Sequence, residues 1–290
     1  MKSNNEIKSR IKVVKETSQI TKAMKLISTI KLKRALVKFE ANKIYNRKLR
    51  KSIVDIFSSG EEFENHYSIK REGGRIAYIV IASDKGLAGD YNHKVLDLAY
   101  EDMKNVKEKY VFTIGHIAID YFTHKGIEVD NEYQDIIENP LLADARNIMY
   151  NLLDMYNNNF IDEIRLVYTS MLSFTTSAPT VDILLPFHTR DEYLQEFKTD
   201  SEEQKTDYRL NGNSGEVIDT IVEQYILGII YSALIQSVMA ENYKRMVAMD
   251  SATRNSKEML EKLSIEFNKI RQEKITTEIT ETSVSLLRKE

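Results

Sequence analysis

Apolar residues at three-four spacing dominate both ends of this chain, and short unbroken apolar runs dominate its middle. Near the start, Ile7, Ile11 and Val14 step at helical intervals, and Ile20, Met24, Ile27 and Ile30 continue after a phase adjustment. Near the end, Ile218, Val222, Tyr225 and Ile229 form one stripe, and Leu260, Leu263, Phe267 and Ile270 form another. Narrow stripes of this period are coiled-coil seams more often than globular helix faces. Glycine and proline agree with this reading: residues 1–59 contain neither, and residues 216–290 contain only Gly228. These two residue types cost roughly 1 and 3 kcal/mol against Ala in a helix interior. The pattern therefore predicts two uninterrupted helices, residues 1–58 and 210–287. At 1.5 Å per residue, helical stretches of about 55 and about 75 residues span about 80 and about 110 Å, too long to be covered by the intervening segment. They are expected to pair antiparallel and project as a rod. Ser3 followed by Glu6 reads as a capping box at the start of the first helix.

The middle, residues 74–190, reads as an open, mainly parallel, Rossmann-like α/β domain. Ile76–Ala82 is an apolar, β-branched run of strand length. Tyr110–Ile114, Ile164–Tyr168 and Val181–Leu185 are further strands, the first of them ended by Gly115. Helices are expected through Val95, Leu98 and Met103, and from Ile117 to His124 before Gly126. Pro140 is expected to open another helix, running through Leu152 and Met155. Residues 58–74 and 189–215 read as polar connectors.

Composition narrows the function. Hydrophobic residues make up 42% of 290 positions, enough for a core. No unbroken apolar run approaches the roughly 20 residues of a membrane span. The Lys-rich start lacks the apolar segment of a secretory signal. Cysteine is absent, which excludes disulfides, thiolate metal sites and Cys nucleophiles. Net charge is -3, yet residues 1–51 carry 16 Lys/Arg against 3 Asp/Glu, leaving the rest strongly acidic. Such asymmetry points either to a solvated helix face or to an acidic partner for the first segment.

No catalytic centre emerges. The loop Ser83–Asn92 follows a predicted strand and precedes a helix, a place where α/β sheets often bind ligands. Gly86 and Gly89 would let a backbone approach a phosphate, but Asp84 and Asp90 would repel one, and neither G-x-G-x-x-G nor a P-loop motif occurs. The simpler reading is a tight turn in which Asp90 meets the dipole of the following helix. The five histidines show no metal-ligand spacing, and no G-x-S-x-G elbow is present. Glu61-Glu62 and Glu202-Glu203 read as solvated charges. The basic stretch Lys31–Lys51 fits either nucleic acid or an acidic protein lever.

Three elements resemble the γ subunit of F-type ATP synthases. The first runs through Ile7–Ile11, Ile20-Thr21-Lys22-Ala23-Met24 and Lys31–Ala35. The second is Ser83-Asp84-Lys85-Gly86-Leu87-Ala88-Gly89. The third runs through Ala233–Ser237, Arg245–Met249, Ala252–Asn255, Arg271-Gln272 and Ile275–Glu281. The resemblance implies a rotary central stalk that transmits torque and performs no bond chemistry, with catalysis on the β subunits. By position, Met24 and the loop bearing Lys85, Gly86 and Gly89 would lie near the acidic lever of β. Arg271 and Gln272 would meet a β catch loop, and Arg245 matches a position that affects coupling. The implied partners are the α and β subunits, the ε subunit and the membrane c-ring, without nucleic acid, metal or cofactor. The implied location is the cytoplasmic face of a bacterial cell membrane, peripheral through the complex. Ala88 stands where many relatives have Cys, and Asp90 where many have Gly. The end Leu286–Glu290 is charged where many relatives are small or apolar. Two other classes compete: a nucleotide-binding α/β enzyme with a coiled-coil arm, and a basic coiled-coil adaptor or nucleic-acid binder.

Overall fold

The computed structural model describes residues 4–58, 65–130, 133–197 and 214–287, apart from the side chains of residues 214, 216 and 283–287. Ser3, Glu61-Glu62, Glu202-Glu203 and the charged tip Arg288–Glu290 lie outside the described residues. Helix α1 runs from Asn4 to Ser58, and the last helix, α6, from Ser214 to Leu287. The chain forms two compact units, residues 1–29 with 245–290, and residues 30–244.

In the first unit the start of α1 lies antiparallel to the end of α6. Thr21 Oγ1 meets Thr253 Oγ1 at 2.8 Å, and Lys25 Nζ meets Asp250 Oδ1 at 2.6 Å. The covered edge of α1 steps through Ile7, Ile11, Val14, Ser18, Thr21, Lys25 and Ser28, alternating four and three without interruption. The expected phase adjustment is therefore absent, and Ile20 and Ile27 are 60% and 55% exposed. The strict heptad survives because polar residues keep it: Thr21 and Lys25 find partners at Thr253 and Asp250. Polar seam positions specify register at some cost in stability. On α6 the matching edge is Met249, Thr253, Ser256, Leu260, Leu263, Phe267 and Ile270. Continuing the Thr21–Thr253 register brings Asn4 opposite Ile270. From Arg271 to Thr282 every residue of α6 is exposed.

The second unit is built on a four-stranded sheet of order β2-β1-β3-β4: β1 Arg75–Ile81, β2 Glu108–Ile114, β3 Glu163–Met171 and β4 Ser177–Leu185. Strand β1 runs parallel to both β2 and β3, while β3 and β4 form an antiparallel hairpin. Alternation along β1 divides the core. Tyr78, Val80 and Ala82 pack with α2 (Tyr91–Met103) and α3 (His116–His124). Ala77, Ile79 and Ile81 belong to the opposite cluster, with α4 (Leu142–Asn157), Ile53 and Phe57 of α1, and Val222, Ile226 and Ile230 of α6.

Three expectations need correction. Pro140 precedes α4 and is not its first residue: Leu141 is the N-cap, and its N–H donates to Asp144 Oδ2 at 2.8 Å. The segment after residue 189 is not simply a connector, because α5 spans Arg190–Phe197. Tyr193 anchors it, fully buried and edge-on to Phe57 at 5.7 Å. The segment before β1 contains a 3-10 turn, His66–Ser68, pinned by the Tyr67 hydroxyl on Glu223 at 2.6 Å. Helix α6 also contains an 18-residue window of mean hydropathy 1.4, long and apolar enough to cross a membrane by composition alone. Of that window 56% is buried inside the fold, so core packing accounts for its apolarity.

Candidate subunit-contact sites

The residues singled out by sequence divide between the two units. Met24, Arg245, Arg271 and Gln272 belong to the first, and Lys85, Gly86 and Gly89 to the second. Met24 is half-buried on α1, next to the Lys25–Asp250 ion pair. Arg245 is half-buried on α6, while Arg271 and Gln272 are exposed. The helix does not bring Arg245 and Arg271 together: at 1.5 Å per residue they stand about 39 Å apart along it. The Lys25 ammonium holds the Asp250 carboxyl below its ordinary range.

The loop after β1 is braced from within. Ser83, fully buried, donates its N–H to Asn92 Oδ1 at 3.0 Å, and Asn92 Nδ2 donates to Ser83 Oγ at 2.8 Å. Asp84 Oδ1 accepts the N–H of His116 at 3.2 Å, tying the loop to the start of α3. Gly89 has φ 62°, which glycine adopts without a Cβ penalty. Leu87 holds φ 65° and is 64% exposed, a costly conformation for a branched residue. Ala88 tucks against Tyr91 and Ala240. Tight internal bonding thus presents Lys85, Gly86 and Leu87 outward on a fixed frame.

Asp90 ends the loop. It makes no side-chain capping bond to α2. Its carboxylate instead bridges Lys94 at 2.6 Å and Lys244 at 3.1 Å. The Lys94 ammonium, then that of Lys244, pulls its pKa down to about 2. A fixed negative charge therefore stands where the start of α2 would otherwise offer a positive field to a phosphate. That geometry opposes the nucleotide-binding reading. Among the described residues no group of three or more His, Cys, Asp or Glu could hold a metal ion.

Two features were missed from sequence. Glu138 links α1 to the loop, with Lys31 Nζ at 2.8 Å and Lys85 Nζ at 3.9 Å. Lys31 and then Lys85 keep its carboxyl below the usual range. Asn42 and Asn46 both donate to Gly228 O, at 3.1 and 3.0 Å. The Asn42/Asn46 spacing of four residues carried a faint signal, because an amide repeated on a helix face matches a seam. Glu138 carried none.

Comparison with known proteins fixes the class first. The profile of the ATP synthase family matches residues 3–284. Solved chains share the fold: the rotor of Euglena gracilis mitochondrial ATP synthase matches with TM-score 0.64 at 15% identity, over 94% of this chain and 98% of that one. The ATP synthase gamma chain of Ruminiclostridium cellulolyticum is 38% identical over 95% of both chains, and that of Acetivibrio thermocellus 37% identical over 96% of both. The chain belongs to the ATP synthase gamma chains and has the role of the gamma subunit.

Proposed function

We propose that this gamma subunit works as a stiff shaft, passing torque between a membrane c-ring and a ring of α and β subunits, with catalysis on β. The carrying observation is α6, helical from Ser214 to Leu287, whose edge from Arg271 to Thr282 is wholly exposed. A shaft should resist local melting, and one glycine after residue 215 serves that. A moving contact should not be trapped in one deep well, and exposed ion pairs at roughly 0–1 kcal/mol are shallow. Residues 1–58 and 210–287 would form the shaft, and residues 74–190 the foot that meets ε and the c-ring. Met24 and the loop bearing Lys85, Gly86 and Gly89 would lie near the β lever, Arg245 would affect coupling, and Arg271 with Gln272 would meet a β catch loop. The complex would lie peripherally on the cytoplasmic face of the membrane. Mixing the full chain with its α and β partners should yield a stable complex with ATPase activity. Failure to assemble with otherwise competent α and β would overturn the proposal.

A further inference from the structure

A second candidate site lies inside the unit of residues 30–244 and borders the loop only at Glu138, whose carboxylate stands 3.9 Å from Lys85 Nζ. A cavity of about 300 Å³ opens between α1, α6 and the turn before α4. Its floor is apolar: Ala35, Ile235 and Val238 are 6%, 1% and 5% exposed, and Pro140 closes one wall. Its rim is cationic, made by Lys31, Arg34 and Lys38 along one face of α1.

The rim charges are unequally answered. Lys31 is paired with Glu138. Lys38 Nζ donates to Asn139 Oδ1 at 2.9 Å and to the carbonyl of Pro140 at 3.0 Å, both uncharged acceptors. Among the described residues Arg34 has no ion-pair or hydrogen-bond partner. Arg34 and Lys38 are one helical turn apart, a like-charge spacing that costs a few tenths of a kcal/mol until an anion intervenes. A guanidinium next to an ammonium suits a carboxylate, which Arg can grip through two parallel N–H bonds. Cavities of this size with an apolar floor and a few convergent polar groups lie at the small end of ligand sites.

We propose that this cavity binds a small amphipathic carboxylate, its headgroup on Arg34 and Lys38 and its short apolar tail over Ala35, Ile235 and Val238. Glu138, at the rim's other end, would direct the headgroup toward Arg34 and Lys38.

Methyl NMR of the full chain titrated with octanoate tests it. The methyl signals of Ile235 and Val238 should move, saturably, and octanol and octylamine should leave them in place. The double variant R34Q/K38Q, folded by circular dichroism, should bind octanoate at least about tenfold more weakly, or about 1.4 kcal/mol. Ala35→Leu, which leaves the rim charges intact but fills the floor, should weaken it to the same degree and decides the matter if the charge variant misfolds. Unmoved Ile235 and Val238 signals, equal binding of octylamine, or weakening of less than about tenfold in the folded variants would each overturn the assignment.

Discussion

Asn46 occupies the space that a Cβ on Gly228 would need: an ideal Cβ there would lie 1.9 Å from Asn46 Oδ1. Gly228, the one glycine in the interior of α6, is thus a point of close approach by α1, and its carbonyl accepts the amides of both Asn42 and Asn46. Gly228→Ala ought to stabilise an isolated helix by about 1 kcal/mol. Here it must displace Asn46 and break its bond, so we expect a net loss of about 1 kcal/mol in chemical denaturation. In an Asn46→Ala background the same change should turn stabilising. Additive effects in the double-mutant cycle would contradict this account.

Asp162 is the buried anchor at the start of the sheet. Its carboxylate accepts from the Arg75 backbone N–H at 2.9 Å, from Nε at 2.9 Å and from Nη2 at 2.8 Å. The Arg75 guanidinium holds its pKa below the usual range. Its side chain is 4% exposed, whereas that of Arg75 is 31% exposed, so Asp162→Ala leaves the Arg75 backbone donor without this acceptor while the guanidinium can turn to water. Urea unfolding should show a loss of about 2 kcal/mol. A loss under 1 kcal/mol would mean the pair is solvated in solution.

Asp90 sets a pH signature. Its pKa falls from 3.8 to about 2 on folding. The folded state therefore favours the charged form, and the gain is complete above the unfolded pKa and disappears as pH falls through about 4 to about 2. The carboxylate is about half exposed, so the gain should be below about 1 kcal/mol. The stability difference between wild type and Asp90→Asn should be flat near neutral pH and shrink in that acid window. A difference that grows on acidification would place the effect elsewhere.

Arg271 and Gln272 stand exposed on α6. Replacing both with Ala should change stability by no more than about 0.5 kcal/mol. If they meet a β catch loop, single-molecule rotation of the assembled complex should lose torque or coupling. Unchanged torque would remove them from the contact set.

The seam of α1 shows where pattern reading stops. Ile20, Ile27 and Ile30 look like core by hydrophobicity, yet they are 60%, 55% and 52% exposed. Thr21 and Ser28 look like surface, yet they are 8% and 2% exposed. A heptad is a geometric repeat, and a hydroxyl can fill a seam position when the facing helix supplies its partner, as Thr253 does at 2.8 Å. Helix α5 was missed for a related reason: it is only eight residues long, Tyr193 is its one fully buried side chain, packed against Phe57, Phe187 and Tyr225, and Leu194 and Phe197 are only partly covered. Two turns are too few to read a period.

The amino-acid order alone determined the family, through three elements in sequence, and the two long helices, through the near absence of Gly and Pro. It also determined the strands, whose β-branched runs are local signals. Tertiary structure decided which edge of each helix is covered, why Gly228 is glycine, and that Asp90 answers Lys244 and does not cap its own helix. Those outcomes depend on partners up to 232 positions apart. Propensity and period are properties of a few consecutive residues, whereas a contact between distant residues exists only once the fold has brought them within reach.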